Sequence, residues 1–229
     1  MSSSSAHVRA PRIIAMQLGA IGTNCYLVHA EGSDQAVIID PGAEADRVDV
    51  VLAERALTPR AILVTHCHWD HIGAVADLAE RHELPVYMAR EEALVLADLA
   101  SFAPAEYGPW RSWTVDKPLD GGELLDLAGI TFQVLEVPGH SPSHLAYLVQ
   151  AAPAGADVDD MPPLLFSGDV LFAGSIGRTD LPGADHDTLM RTLTRLVTTL
   201  DDATIVLSGH GEPTTIGRER VSNPFLVGR

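Results

Sequence analysis

Cysteine is almost missing from this chain: Cys25 and Cys67 are the only two among 229 residues. Two thiols are too few to staple a domain of this length, so reduced thiols are the default and a disulfide-built scaffold is excluded. Basic residues are also scarce, 15 Lys and Arg against 31 Asp and Glu, for a formal charge of −16. Polyanions are gripped by Lys and Arg on phosphate, so this balance argues against nucleic acid as a partner. No run of about 18 apolar residues is present to cross a bilayer, which predicts no membrane partner. The opening Met1-Ser2-Ser3-Ser4-Ser5-Ala6 lacks an apolar h-region and reads as a disordered tail, not a signal peptide. Together these absences leave a cytoplasmic protein as the expectation.

What is present is enough apolar residue, 46%, to bury a sizeable core. β-prone runs at 12–18, 24–29, 35–39, 61–65, 85–89, 123–128, 130–137, 145–150, 164–166 and 204–207 alternate with helical patterns at 43–57, 73–83, 90–102 and 185–200. Asp185 is the expected N-cap of the last helix. Thr58-Pro59 is read as a helix stop, and Glu91 and Glu92 as first-turn acids of the 90–102 helix. Residues 103–118 form an irregular loop whose Trp110 and Trp113 either cap the core or line a pocket, and 151–163 is a surface loop. No internal repeat or linker divides the chain. The expectation is a disordered tail over 1–11 and a single α/β domain over 12–229.

The chemistry is concentrated in Thr65-His66-Cys67-His68-Trp69-Asp70-His71, where three of the ten histidines and a carboxylate follow an apolar strand. In an extended loop His66 and His68 face one side while Cys67 and Trp69 face the other. Asp70 and His71, where the chain turns into a helix, face a second point close by. Four ligand-type side chains in so short a span suit divalent metal chemistry. The same grammar, an apolar strand running into a small-residue turn that carries a donor, recurs at Pro138-Gly139-His140, Ser167-Gly168-Asp169 and Ser208-Gly209-His210. Rigid strands aim loop residues at a common crevice. Seven donors therefore have reason to converge: His66, His68, Asp70, His71, His140, Asp169 and His210. Seven nitrogen and oxygen donors exceed one tetrahedral ion but suit two ions with water completing each shell. His144 reads as a residue at a strand start or behind the ligands, and Cys67 as packing.

The motif His66-x-His68-x-Asp70-His71 followed by His140, Asp169 and His210 resembles the signature of the metallo-β-lactamase superfamily. Asn24-Cys25-Tyr26, Asp40-Pro41-Gly42, Gly174 to Asp180 and Ser222 to Leu226 extend the likeness to the short glyoxalase II-type hydrolases. The resemblance implies a four-layer αββα sandwich with two divalent metal ions at one edge of its sheets, zinc first, with iron or manganese as substitutes. It implies His66, His68 and His140 on one ion, Asp70, His71 and His210 on the other, Asp169 between them, and Asp40 orienting the site. Asp70, His71 and Asp169 are also the implied catalytic residues, and Arg178 is a candidate substrate contact or, equally, one half of a structural ion pair. The implied reaction is hydrolysis of a small acyl-thiol, S-lactoylglutathione or another low-molecular-weight thioester, by a monomer or homodimer. The alternative is a persulfide dioxygenase with one iron, a group that shares the Gly177-Arg178-Thr179-Asp180 segment. Glu212 stands where glyoxalase II carries a tyrosine, and the basic residues that hold glutathione's carboxylates in the longer enzymes have no counterpart.

Overall fold

A computed structural model describes residues 10–150 and 161–227. Its first sheet contains β1 (Pro11–Leu18), β2 (Thr23–Ala30), β3 (Gln35–Ile39), β4 (Thr58–Leu63), β5 (Val86–Ala89) and β6 (Lys117–Leu119), side by side in that order. The second contains β7 (Leu124–Leu127), β8 (Ile130–Glu136), β9 (Leu145–Val149), β10 (Leu164–Gly168), β13 (Ile205–Ser208) and β14 (Thr214–Thr215), in the order β14-β13-β10-β9-β8-β7. A small ribbon, β11 (Leu171–Phe172) with β12 (Ser175–Ile176), leaves the end of β10. Five helices belong to the first half: α1 (Ala45–Glu54), α2 (Trp69–Ile72), α3 (Val75–His82), α4 (Ala93–Ala97) and α5 (Leu99–Phe102). Two belong to the second: α6 (His186–Thr199) and α7 (Ile216–Ser222).

Three separate apolar clusters show why this is a four-layer stack. Strand side chains alternate between faces, and both faces of each sheet are covered, so the strands read as continuous apolar runs. In β3, Ala36 and Ile38 join the cluster under α1 and α3, while Val37 and Ile39 join the cluster between the sheets. In β9, Tyr147 and Val149 face the inter-sheet cluster, and Ala146 and Leu148 face α6 through Leu189, Leu193 and Leu196. The expected αββα sandwich is the observed architecture.

Several boundaries differ from the sequence reading, each for a tertiary reason. Ala10 and Pro11 were assigned to the tail, but the Glu31 N–H donates to Ala10 O at 2.8 Å and Pro11 opens the edge strand β1, where a missing N–H is tolerated. The rest of the expected tail, and 151–160 of the expected loop, lie outside the described residues. Thr58 and Pro59 do not merely stop a helix. They begin β4, pairing with Gln35 and Ala36 beside a register shift. The helix expected over 90–102 is a 3-10 turn followed by α4 and α5, broken at Asp98 (φ −140°). The 103–118 loop takes over its hydrogen bonds there: the Trp113 N–H donates to Leu96 O, and the Leu99 N–H donates to Ser112 Oγ. Trp110 and Trp113 pack on the α1–α3 cluster, capping the core, and Trp113 also lines a surface pocket with Ala97 and Ser112.

The two sheets meet the site at one edge. β10 and β13 run parallel and adjacent, with the Gly209 N–H donating to Gly168 O at 2.9 Å, so Asp169 and His210 leave the sheet together. β2 reaches across from the other sheet. Asn24 Nδ2 donates to the carbonyls of Ser208 and Gly211 at 2.9 Å, and the Tyr26 hydroxyl to Ser208 O at 2.6 Å. In the opposite direction, the Tyr147 hydroxyl of β9 donates to Val64 O at 2.7 Å, just ahead of the histidine loop. Strand-end loops from both sheets are thus tied into one rim.

Candidate metal centre

His66 and His68 leave β4 in extended backbone, and the chain then coils at His68 into α2, which carries Asp70 and His71. His66 Nε2 and His140 Nε2 each lie 2.9 Å from His68 Nδ1. Nitrogens around one tetrahedral cation, with bonds near 2.05 Å, stand roughly 3.3 Å apart, so this trio has close to the spacing of a shared ion. Asp70, His71 and His210 make a second trio, with His71 Nε2 at 3.4 Å and His210 Nε2 at 3.2 Å from Asp70 Oδ2. Asp169 lies between the two. Its Oδ1 is 3.4 Å from His71 Nε2, and its Oδ2 is 3.5 Å from His210 Nε2 and 3.6 Å from His140 Nε2. All seven expected donors are thus brought together. Cys67 instead packs into the helix-side cluster, and burial pushes its thiol pKa up.

The partners behind these rings fix which nitrogen faces inward. Asp40 Oδ2 accepts from His71 Nδ1 at 2.9 Å, and the same carboxylate accepts from the Thr65 N–H and hydroxyl at 2.8 and 2.7 Å. His140 Nδ1 donates to Arg178 O at 2.8 Å. Each bond leaves the opposite ring nitrogen free to bind, a common arrangement behind metal-ligating imidazoles. His144, fully buried and stacked on His66 at 4.5 Å, accepts the Asp169 N–H at Nε2. Desolvation drives His66, His68 and His140 below the ordinary imidazole pKa, His68 to about 4. Neutral imidazole is the ligating form. Burial alone would raise Asp70, but His71 and hydrogen bonds from His210 and Thr23 outweigh it and hold the carboxyl down to about 2. Burial likewise opposes the charged form of His210, yet Asp169 and Asp70 lift it to about 9.

A cation fits this donor set. His71 Nε2 and Asp169 Oδ1 are buried and have no hydrogen-bond partner among the described residues. Two such atoms aimed at each other are costly unless an ion satisfies both.

Three contributors were not legible as site residues. The Thr23 hydroxyl donates to Asp70 Oδ2 at 2.7 Å. Glu92, 3% exposed, accepts the Cys67 N–H at one carboxylate oxygen and the Ser143 N–H at the other, both at 2.8 Å. It therefore clamps the His66–His68 loop to the loop carrying His140 and His144, a different task from complementing a helix dipole. Trp69 packs with Cys67 against the helix-side cluster, as expected, and, stacked on Tyr107 at 4.7 Å, it also walls the cleft. Arg178 stands on the cleft rim with its guanidinium bound to both oxygens of Asp180, at 2.6 and 2.7 Å.

Residues 18–210 match the model of the metallo-beta-lactamase superfamily. The chain belongs to the metallo-β-lactamase superfamily. Membership makes it one of a superfamily of metal-dependent hydrolases. Hydroxyacylglutathione hydrolase GloC of Haemophilus influenzae is 34% identical over 90% of this chain and 94% of its own length. The structure of BLEG-1 B3 metallo-beta-lactamase is 40% identical, with a TM-score of 0.84 over 95% of this chain and all of that one. TTHA1623, solved in a di-iron-bound form, is 41% identical, with a TM-score of 0.77 over 93% of this chain and all of that one. No helix among the described residues is long and apolar enough to cross a membrane.

Proposed function

We propose that this metallo-β-lactamase superfamily member is a thioester hydrolase that holds two divalent cations. One would sit among His66, His68 and His140, the other among Asp70, His71 and His210, with Asp169 shared. The observation that carries the reading is Asp169 itself, whose two oxygens lie within 3.4–3.6 Å of nitrogens from both trios. The nitrogen and oxygen donors suit zinc first, with iron and manganese as substitutes. The di-iron form of TTHA1623 supports keeping iron open, and the GloC relative supports a thioester as the substrate.

Divalent ions bound there supply Lewis acidity and lower the pKa of coordinated water towards about 7. The residues supply placement. Asp40 and Thr23 hold His71 and Asp70 in register, and Glu92 holds the two loops of the first trio together. Water oxygen adds to the thioester carbonyl carbon and the C–S bond breaks. The sulfur departs as a thiolate, the acyl group leaves as a carboxylate, and the water's protons pass to solvent. A thiolate leaves without protonation, so no general acid is required of Asp70, which stays engaged with Thr23, His71 and His210. On this reading the enzyme works as a cytoplasmic single-domain monomer or homodimer on a small acyl-thiol. The test is thiol release by protein loaded with zinc, iron or manganese, set against His68→Ala. Cleavage no faster than in that variant would remove the thioester reading.

A further inference from the structure

The cleft above the metal centre holds about 710 Å³ and its walls are mostly apolar. Trp69, Phe102 and Pro104, then Phe172, Leu181 and Pro182, and Ile21 from the β1–β2 turn make its apolar lining. Phe102 is 61% exposed and Ile21 48%. Large apolar side chains gathered in the open around one cleft mark a surface kept for an apolar ligand. The only Lys or Arg lining the cleft among the described residues is Arg178, whose Nε and Nη2 donate to Asp180. A substrate carboxylate would meet a guanidinium already paired along one edge, and would approach a chain of formal charge −16, of which two divalent ions offset only four.

Resting on the thioester reading, we propose that the preferred substrate is a thioester with an apolar, uncharged body, both acyl chain and thiol, and not a thioester of the carboxylate-bearing peptide glutathione. The apolar lining at Phe102 and Ile21 selects for the apolar body. The Arg178–Asp180 pair offsets the one guanidinium that would recognise an anionic carrier. The substrate class therefore follows from a wall and a neutralised charge, not from the metal-holding residues, which set only the reaction.

The experiment compares kcat/KM of metal-loaded protein on S-lactoylglutathione with that on acetyl, butanoyl and hexanoyl thioesters of N-acetylcysteamine. Binding of two inert thioethers, S-hexyl-N-acetylcysteamine and S-hexylglutathione, is measured by calorimetry alongside. We expect the hexanoyl ester to exceed the lactoylglutathione ester at least about tenfold, with kcat/KM rising roughly threefold per methylene along the series. Phe102→Ser should flatten that rise. Asp180→Asn, which frees Arg178, should raise the glutathione ester several-fold against the neutral ones. Equal or better turnover of the glutathione ester, or no dependence on chain length, would overturn the substrate class. If no thioester is cleaved, the thioester reading fails, and the thioethers still decide the cleft's preference. Tighter binding of the neutral one upholds it, and equal or weaker binding rejects it.

Discussion

At Gly209 a β-carbon would collide with Asp169 Oδ1 and His71 Cε1, so the turn before His210 admits no side chain. Gly209→Ala is expected to displace the shared carboxylate and cost activity about a hundredfold or more, with metal content reduced and the far-ultraviolet circular dichroism unchanged. Unchanged metal content would show that the turn is not under this constraint. Glu92 is the second critical residue. Glu92→Gln turns one acceptor into a donor facing a backbone N–H, and is expected to weaken metal binding by the His66–His68–His140 trio roughly ten- to hundredfold, leaving the other trio's ion in place. Titration with cobalt, followed by its absorption bands, reads the two sites separately; equal weakening of both would contradict a local clamp. The seven donors were legible because each follows an apolar strand through a Gly, Pro or Thr turn. Thr23 and Glu92 were not, because their meaning comes from partners 47, 25 and 51 positions away. Arg178 was legible as a substrate contact or a structural ion pair, but Asp180 as its partner was not.

Among the elements, α6 illustrates a boundary the sequence could place. Asp185 caps it, accepting the Thr188 N–H at 2.7 Å, as expected from an Asp ahead of an apolar-periodic helix. That hydrogen bond holds the Asp185 carboxyl below its usual pKa. A depressed folded-state pKa adds stability above the unfolded value near 3.9, and the contribution fades as pH falls through the folded value. Asp185→Ala should therefore lower Tm by about 2–4 °C at pH 7, with the gap narrowing below about pH 4. A gap independent of pH would contradict the cap's charge. The elements that escaped the sequence are β6, β11, β12, β14 and α7. β6 has three residues, the other strands two each and α7 seven, too short to display a period. The break at Asp98 escaped for another reason: intrinsic helix propensity across 90–102 is overridden by hydrogen bonds from a loop later in the chain.

For the whole molecule, the three stacked cores make the sheets a rigid frame, and Phe166, 1% exposed in the inter-sheet cluster, is central to it. Phe166→Ala should cost about 3–5 kcal/mol in denaturant unfolding; a loss under about 1 kcal/mol would mean the middle layer is loosely packed. Strand and helix alternation alone made an α/β domain legible and the αββα order came with the family resemblance, whereas the meeting of the two sheets at one edge rests on long-range bonds from Asn24, Tyr26 and Tyr147. That edge is where the central claim lies, and metal content per chain tests it most directly. Elemental analysis of the purified protein is expected to give two divalent ions, falling to one in His140→Ala and one in His210→Ala. A single ion, iron, retained when His71 or His210 is changed would contradict the two-ion hydrolase and point to the one-iron oxygenase chemistry instead.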